Sequence, residues 1–285
     1  MTLLPGLRPS APRPVPALPR AVPVTRRSAV VLALASLAGL VMFLWPLFMQ
    51  PAPGQERFDQ PFIFMAILPV VVMVVVVELT EGGMDSKALA MLGVLTAINA
   101  ALRPLGAGTA GIETVFFLLV LSGRVFGPGF GFVLGCTSLF ASALLTSGVG
   151  PWLPFQMMCA AWIGMLAGLL PRRVTGRAEI VLLVVFGVLV SYVFGFLMNL
   201  SSWPFTLGIA VPGTDGGAQM VPGDPVLENL RRFVVYNLVT STWGWDTGRA
   251  ITNAVLIAVL GPAVLATLRR AARRARYLPA APVLR

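Results

Sequence analysis

Long apolar segments, separated by short turns that contain Gly and Pro, recur along the sequence from residue 28 to residue 268. A helix of about 20 apolar residues is long enough to cross the hydrocarbon core of a membrane, which is roughly 30 Å thick. In hydrocarbon every backbone polar group needs an internal partner, so only helices and closed barrels span a membrane. The segments show no alternation of polar and apolar residues, which favours helices. We therefore predict an all-α integral membrane protein. Its share of charged residues, 11%, agrees with this because a soluble domain has about 25%.

Eight membrane spans are predicted, and they cover residues 28–49, 61–78, 87–104, 112–124, 128–146, 154–170, 179–200 and 248–268. The segment before them is rich in Arg and Pro, a composition typical of a disordered tail. The predicted organisation is therefore a disordered cytosolic tail at 1–27, two N-terminal helices within 28–80, a six-helix membrane domain over 87–268 and an Arg-rich cytosolic tail at 269–285.

The formal net charge of +10 comes mainly from arginines in the two tails and in the loops on one side of the predicted bundle. Arg and Lys accumulate on the cytoplasmic side of membrane proteins, so we expect both termini in the cytoplasm. A single Lys beside abundant Arg, Ala and Gly indicates a GC-rich bacterial genome and hence a bacterial cell membrane. The distribution of charge argues against a phosphate-binding face, and we expect no nucleic acid as a partner.

The sequence contains no His, and its one Lys is Lys87. Without His the chain has no imidazole base and no Ser-His catalytic triad. Lys87 does not lie in the Gly-rich frame of a P-loop, so the chain has no such ATPase site. Cys136 and Cys159 lie in apolar segments without metal-site spacing. We expect no enzyme activity, no cofactor and no metal.

The predicted connection over residues 201–247 is much longer than the others, and such loops are usually functional or disordered. In its second half, four apolar residues recur at helical spacing: Leu227, Leu230, Val234 and Leu238. Charged residues lie opposite them. We predict a short amphipathic helix here that lies in the membrane interface.

Small residues recur four positions apart in three of the predicted spans, a spacing that lets helices approach closely in a membrane. The rows are Gly93, Ala97 and Ala101 in span three, Gly127, Gly131 and Gly135 in span five with its entry turn, and Gly164 and Gly168 in span six. Packing inside the bundle and docking of a separate membrane subunit both fit such a row. The pattern alone does not distinguish them.

Polar and aromatic residues gather at the predicted outer ends of spans three to eight. An ionisable group in a membrane helix is costly and is a functional candidate by default, and a few polar groups between apolar walls are typical of a ligand pocket. The predicted substrate-binding residues are Arg103, Glu113, Trp152, Gln156, Asn199, Trp243, Asp246, Arg249 and Asn253. Arg124 lies at the opposite end, where we expect a topological or partner-facing role.

Structural alternatives remain open for several of these residues. Arg103 and Glu113 could simply pair and fix a turn, and the tryptophans could form an ordinary interfacial belt. Asp246 could only cap span eight. Arg249 near the start of that span would oppose the helix dipole, which favours a functional role for it.

At these residues the sequence resembles the substrate-binding membrane subunits, or S-components, of energy-coupling factor (ECF) vitamin transporters. The similar stretch covers about residues 87–268, and its most telling pieces are ALRPLGAGTAGIETVFF, SGRVFGPGFGFVLG, GVGPWLPFQM and TSTWGWDTGRAITNAVL. The resemblance implies that the last six spans form a bundle that captures a vitamin or related micronutrient on the outer side. It also implies a transmembrane coupling subunit and two cytosolic ATPases as partners, with membrane lipid around the bundle.

The resemblance further implies roles for two segments. Ala97 and Ala101 match the Ala-xxx-Ala stripe with which the family docks the coupling subunit, and Gly93 extends it. Residues 105–111 would form a lid over the pocket. The two N-terminal spans depart from the six-helix pattern of the family. The GPWLPFQM-type sequence resembles family members linked with cobalamin or its precursors.

Three other classes of protein fit the sequence less well. A proton-coupled secondary transporter of a small molecule, the main alternative, needs titratable groups near mid-membrane, whereas the candidates here gather at one end. An integral-membrane enzyme would need His or carboxylate clusters in its spans. A purely structural subunit would not explain the converging polar residues.

Overall fold

The structure is a computed structural model that describes residue 22 and residues 24–48, 71–79, 84–106, 111–206 and 218–276. These residues are largely helical and contain no β-strand, which confirms the all-α class. Most of the predicted N-terminal tail, residues 277–285 of the C-terminal tail and residues 107–110 of the predicted lid lie outside the described residues.

Nine helices longer than one turn follow one another along the described chain. They are α1 (Arg26–Phe43), α2 (71–79), α3 (Ser86–Leu102), α4 (Val115–Phe126), α5 (Pro128–Leu145), α6 (Leu153–Leu169), α7 (Gly176–Ser202), α8 (Val226–Asn237) and α9 (Thr247–Arg276). Each predicted span corresponds to one of them, although the second is described only over 71–79. Five helical segments of the described chain are long and apolar enough to cross a membrane, and α4 and α6 are shorter apolar helices.

Local sequence signals explain where several helices begin. Thr25 and Asp85 precede α1 and α3, and the side chain of each accepts a hydrogen bond from the backbone N–H three residues further on, at 3.1 and 2.8 Å. Such caps satisfy an N–H group that a helix start leaves unpaired. Pro128 occupies the first position of α5, where the N–H that Pro lacks is not needed.

Helices α4, α5 and α6 form the most tightly packed part of the bundle. A Cβ at Gly131 in α5 would overlap the carbonyl oxygen of Gly164 in α6, and a Cβ at Gly164 would overlap that of Gly131. Gly135 and Gly168 lie similarly close to backbone atoms of neighbouring segments. Because close backbone approach drives helix association in lipid, the rows of α5 and α6 serve packing inside the bundle.

The N-terminal helix α1 lies across α6 and α7. Phe43 packs against Phe155 and Trp162, with ring centroids 5.0 and 5.5 Å apart. In the turn after α1, Trp45 donates from Nε1 to the carbonyl oxygen of Ser201 at 2.9 Å. These contacts make α1 an integral part of the fold, not a separate anchor.

A buried carboxylate attaches α2 to its neighbours. Glu78 accepts a hydrogen bond of 2.8 Å from Ser28 Oγ in α1, and it lies against Gly129 at the start of α5. Val22 donates its backbone N–H to the carbonyl oxygen of Phe126 at 3.0 Å. Val22 and the described part of α2 are therefore attached to the bundle where α4 ends and α5 begins.

Arg124 lies at this end of the bundle, and its burial argues against the partner-facing alternative, whereas the topological role stays a prediction. The residue is 5% exposed and donates from Nε to Glu179 Oε1 at 2.7 Å. It also donates to three backbone carbonyl oxygens of the turn between α6 and α7, at 2.8 to 3.1 Å. Arg269 in α9 donates to the same Glu179 oxygen at 2.6 Å. Since a guanidinium has five N–H donors, Arg124 can join α4, α7 and this turn at once.

Helix α8, a π-helical segment over Leu238–Asp246 and α9 form one continuous helix. The predicted amphipathic helix is present as α8. Its buried side is centred on Phe233, which is fully buried, whereas three residues of the predicted apolar row, Leu227, Val234 and Leu238, are exposed. An apolar row that points away from the protein is expected of a helix in contact with lipid.

Candidate ligand-binding site and docking face

Asp246 and Arg249 form a buried ion pair at the end of the bundle opposite Arg124, which we call the Arg249 end. Arg249 Nη1 donates to Asp246 Oδ1 at 2.7 Å, and 1% of the Asp246 side chain is exposed. Gly195 in α7 provides the space for this carboxylate, because a Cβ at Gly195 would overlap it. The two charged residues are three positions apart, so they share one side of their helix.

The continuous helix changes two interpretations made from the sequence. Asp246 does not cap a helix start, because the helix runs through it from α8 into α9. For the same reason Arg249 does not oppose the dipole of a helix that begins nearby. The pair instead lies inside a long helix and is held by its neighbours.

Two aromatic rings flank the Arg249 guanidinium. Its Cζ atom lies 4.7 Å from the ring centroid of Phe194 in α7 and 5.8 Å from that of Phe116 in α4. The two ring centroids are 4.9 Å apart. A cation over an aromatic face is attracted by the ring quadrupole, so these rings help to hold Arg249 in an otherwise apolar interior.

Glu113 lies beside this ion pair at the start of α4. Asn253, one turn after Arg249, donates from Nδ2 to the Glu113 carbonyl oxygen at 3.3 Å. The Glu113 carboxylate interacts electrostatically with Arg249 and Arg103, but no described residue forms an ion pair with it. Arg103 donates instead to Gln156 Oε1 at 2.8 Å, so the alternative of a direct Arg103–Glu113 pair is not what the structure shows.

The structure thus brings six of the nine predicted site residues into one connected set. We call this set the polar cluster, and its members are Arg103, Glu113, Gln156, Asp246, Arg249 and Asn253. Three buried atoms in it have no hydrogen-bond partner among the described residues: Asp246 Oδ2, Asn253 Oδ1 and Arg249 Nε. Buried polar atoms are nearly always paired in proteins, so these three atoms make the polar cluster a candidate for ligand binding.

The other predicted site residues make their contacts elsewhere. Asn199 donates to Asn237 Oδ1 at 2.8 Å and connects α7 to α8. Trp243 is 79% exposed and Trp152 is 51% exposed. Outward-facing tryptophans at one end of a bundle fit the interfacial-belt alternative, and this geometry gives no support to their predicted contact with a ligand.

Two small apolar cavities lie between α6 and α7. The first has a volume of about 90 Å³ and is lined by residues that include Trp152 and Phe205. The second has a volume of about 60 Å³ and is lined by residues that include Cys159, Trp162 and Phe194, the last of which also contacts Arg249. Ligand pockets usually measure about 300–1,000 Å³, so neither of these two cavities is large enough for a vitamin-sized molecule.

Three residues around the polar cluster were not predicted from the sequence: Phe116, Phe194 and Gly195. Only Gly195 carried a usable signal, because a glycine inside a helix often has a packing or functional reason. A phenylalanine in a membrane helix carries no comparable signal.

Gly93, Ala97 and Ala101 lie on the exposed side of α3. No atom of the described chain, apart from those next to Gly93 in its own helix, would lie within 4 Å of a Cβ there. The opposite side of α3 packs on α5, where Asn99 donates to Ser138 Oγ at 3.0 Å. This row therefore differs from those of α5 and α6, since none of the described helices covers it.

Comparison with protein families matches this chain to the model described as ECF transporter, substrate-specific component. The match covers residues 87–272, which is more than half of the chain and runs from α3 to α9. The matched region includes the polar cluster and the exposed row of α3, whereas α1 and α2 lie outside it. The chain has no significant match among curated proteins or solved structures. With its apolar helices, the match makes this a multi-pass protein of the plasma membrane, and the chain belongs to the substrate-specific components of ECF transporters.

Proposed function

We propose that this chain captures a vitamin or related micronutrient at the polar cluster and delivers it for uptake that other subunits drive with ATP. One observation carries the proposal, namely the buried polar cluster with unpaired atoms inside an apolar bundle. A buried polar group without a partner is destabilising, and an ionisable group in a membrane helix is a functional candidate by default. A ligand that pairs with these atoms gives a reason for their presence.

The positive-inside distribution supports an orientation in which the Arg249 end faces outwards. Arg124 and the basic segment at the end of α9 then lie on the cytoplasmic side, together with both termini. The substrate would enter from outside. The chain would supply recognition, and the ATPase sites would belong to the cytosolic partners, because the sequence has no P-loop of its own.

The exposed row of α3 supports a docking face for the transmembrane coupling subunit. Small residues allow a partner helix to approach the backbone closely, and α1 packs over α6 and α7, away from this row. The N-terminal helices, so far as they are described, therefore leave the face open. Among micronutrients, the polar cluster does not favour cobalamin or its precursors over the others.

A proton-coupled secondary transporter is the alternative, and the buried carboxylates support it less well. Glu179 lies in the first turn of α7 and is held by Arg124 and Arg269. Glu78 lies near the end of the described residues of α2. Both lie near an end of the described part of their helix, whereas transporters of that class bind their coupling ion near mid-membrane.

The proposed function is tested by analysing the small molecule that accompanies the purified protein. We expect the wild type to retain one small molecule, identified by mass spectrometry, and Glu113→Ala to retain at least about tenfold less, since loss of a charge-assisted contact removes roughly 1.5–3 kcal/mol. Because Glu113 makes no ion pair with a described residue, this variant should remain folded.

The matched control is Glu228→Ala, which removes a carboxylate that pairs with Arg231 at 2.8 Å on the exposed side of α8. This control should retain the small molecule at the level of the wild type. Equal retention by Glu113→Ala and the wild type would show that the polar cluster is not the ligand site.

A further inference from the structure

The unpaired atoms of the polar cluster are mostly hydrogen-bond acceptors. Asp246 Oδ2 and Asn253 Oδ1 are both buried without a partner among the described residues, and both residues are 0% exposed. Among the buried atoms of the described cluster that lack a partner, the donor is Arg249 Nε. A carboxylate oxygen and an amide oxygen can only accept hydrogen bonds here, so the group that satisfies them must bring N–H or O–H donors.

One carboxylate of the cluster, that of Glu113, has no ion-pair partner among the described residues. Arg249 is bound by Asp246 at 2.7 Å and flanked by two aromatic rings. Arg103 donates to the neutral amide of Gln156 at 2.8 Å. The Glu113 carboxylate forms no ion pair with any described residue and receives a backbone hydrogen bond from Val115. Glu113 therefore offers a ligand an unpaired carboxylate next to the Asp246–Arg249 pair.

An anionic group would be disfavoured for a second reason. To bind Arg249 at Nη1 it would have to displace Asp246, whose carboxylate is enclosed against Gly195. That would leave a buried carboxylate without its partner, which is strongly unfavourable. A donor group can instead bind Asp246 Oδ2 while the ion pair through Oδ1 stays intact.

Resting on the proposed function, we infer that the ligand presents a planar, nitrogen-rich donor group, cationic or neutral, to the carboxylates of Asp246 and Glu113. The Phe194 ring favours a flat group, because it lies next to Arg249 and also lines the cavity of about 60 Å³, and aromatic faces stack on planar partners. A carboxylate or phosphate would meet a like charge at Asp246 and Glu113, so it is not the group that we expect these two residues to recognise.

Benzamidine and benzoate test this inference, because they have nearly the same shape and opposite hydrogen-bonding character. Benzamidine presents four N–H donors on a planar cation, and benzoate presents two acceptor oxygens on an anion. We expect the full chain in lipid nanodiscs to bind benzamidine at least about tenfold more tightly than benzoate, as measured by calorimetric titration. The Glu113→Gln variant should bind benzamidine about tenfold more weakly than the wild type.

Glu228→Gln on the exposed side of α8 is the matched control and should bind benzamidine like the wild type. Benzoate binding as tightly as benzamidine overturns the inference, and so does the absence of binding by either probe. Unchanged benzamidine binding by Glu113→Gln also overturns it, since contact at another surface would then explain the affinity. A chain that does not assemble with a coupling subunit would contradict the proposed function. A chain that assembles with it but binds benzoate as tightly as benzamidine would contradict only the present inference.

Discussion

Leucine at both Ala97 and Ala101 is expected to abolish assembly with the coupling subunit while leaving the fold and ligand binding intact. Both alanines lie on the exposed side of α3, so larger side chains can extend away from the described helices. They would instead hold a partner helix away from the α3 backbone, and close approach is what stabilises helix association in lipid. We expect at least about tenfold less coupling subunit to co-purify, a change of roughly 1.4 kcal/mol or more.

The control for this experiment places the same substitutions on another exposed helix surface. Ala258 and Ala266 in α9 are exposed, and Ala258→Leu with Ala266→Leu should co-purify the coupling subunit like the wild type. Equal amounts of coupling subunit with the Ala97→Leu/Ala101→Leu variant and the wild type would contradict the docking role of α3.

Leucine at Gly131 is expected to prevent α5 and α6 from packing. The Cβ alone would overlap the Gly164 carbonyl oxygen, and a backbone atom of a neighbouring helix cannot move aside as a side chain can. The two helices would have to separate and would lose their closest contacts. We expect the free energy of unfolding to fall by more than about 3 kcal/mol, seen as a lower thermal midpoint in detergent.

Gly93→Leu is the matched control for stability, since a Cβ at Gly93 would meet nothing within 4 Å. Because Leu also favours helix over Gly by up to about 1 kcal/mol, this variant should be as stable as the wild type or slightly more so. A thermal midpoint that falls equally in Gly131→Leu and Gly93→Leu would mean that the two rows do not differ as described.

These glycines also show what the sequence could predict and what it could not. The apolar segments predicted the positions of α1, α3–α7 and α9 closely. Segment length and the absence of polar residues can be read from the sequence without knowledge of the packing. The small-residue rows were visible too, but their roles were not. The direction in which a row points depends on how each helix is rotated in the bundle, and that rotation is set by packing between helices.

The candidate site was predictable in part for the same reason. Arg103, Glu113 and Arg249 stood out because charged residues are rare in membrane helices, and the structure connects them. Trp243 stood out equally but is 79% exposed, since a residue at a helix end can face either way. Phe194 completes the surroundings of Arg249, and nothing distinguishes it in sequence from the other phenylalanines.

Two further differences arise from contacts between distant parts of the chain. Arg124 resembled a cytoplasmic loop residue, but Glu179, 55 positions away, neutralises it inside the bundle. The segment Leu238–Asp246 resembled the end of a loop, but it continues the helix with π-type hydrogen bonds. Periodicity in a sequence does not reveal such a segment, because π-helical stretches are rare and occur mostly at functional sites.

Native mass spectrometry of the full chain, co-expressed with the coupling subunit and ATPases of its organism, tests the central claim most directly. We predict one complex that contains this chain, the coupling subunit and two ATPases, and we predict that a small molecule is bound to this chain. A chain that stays separate from the coupling subunit and carries no small molecule would contradict its assignment as the substrate-binding subunit of the transporter.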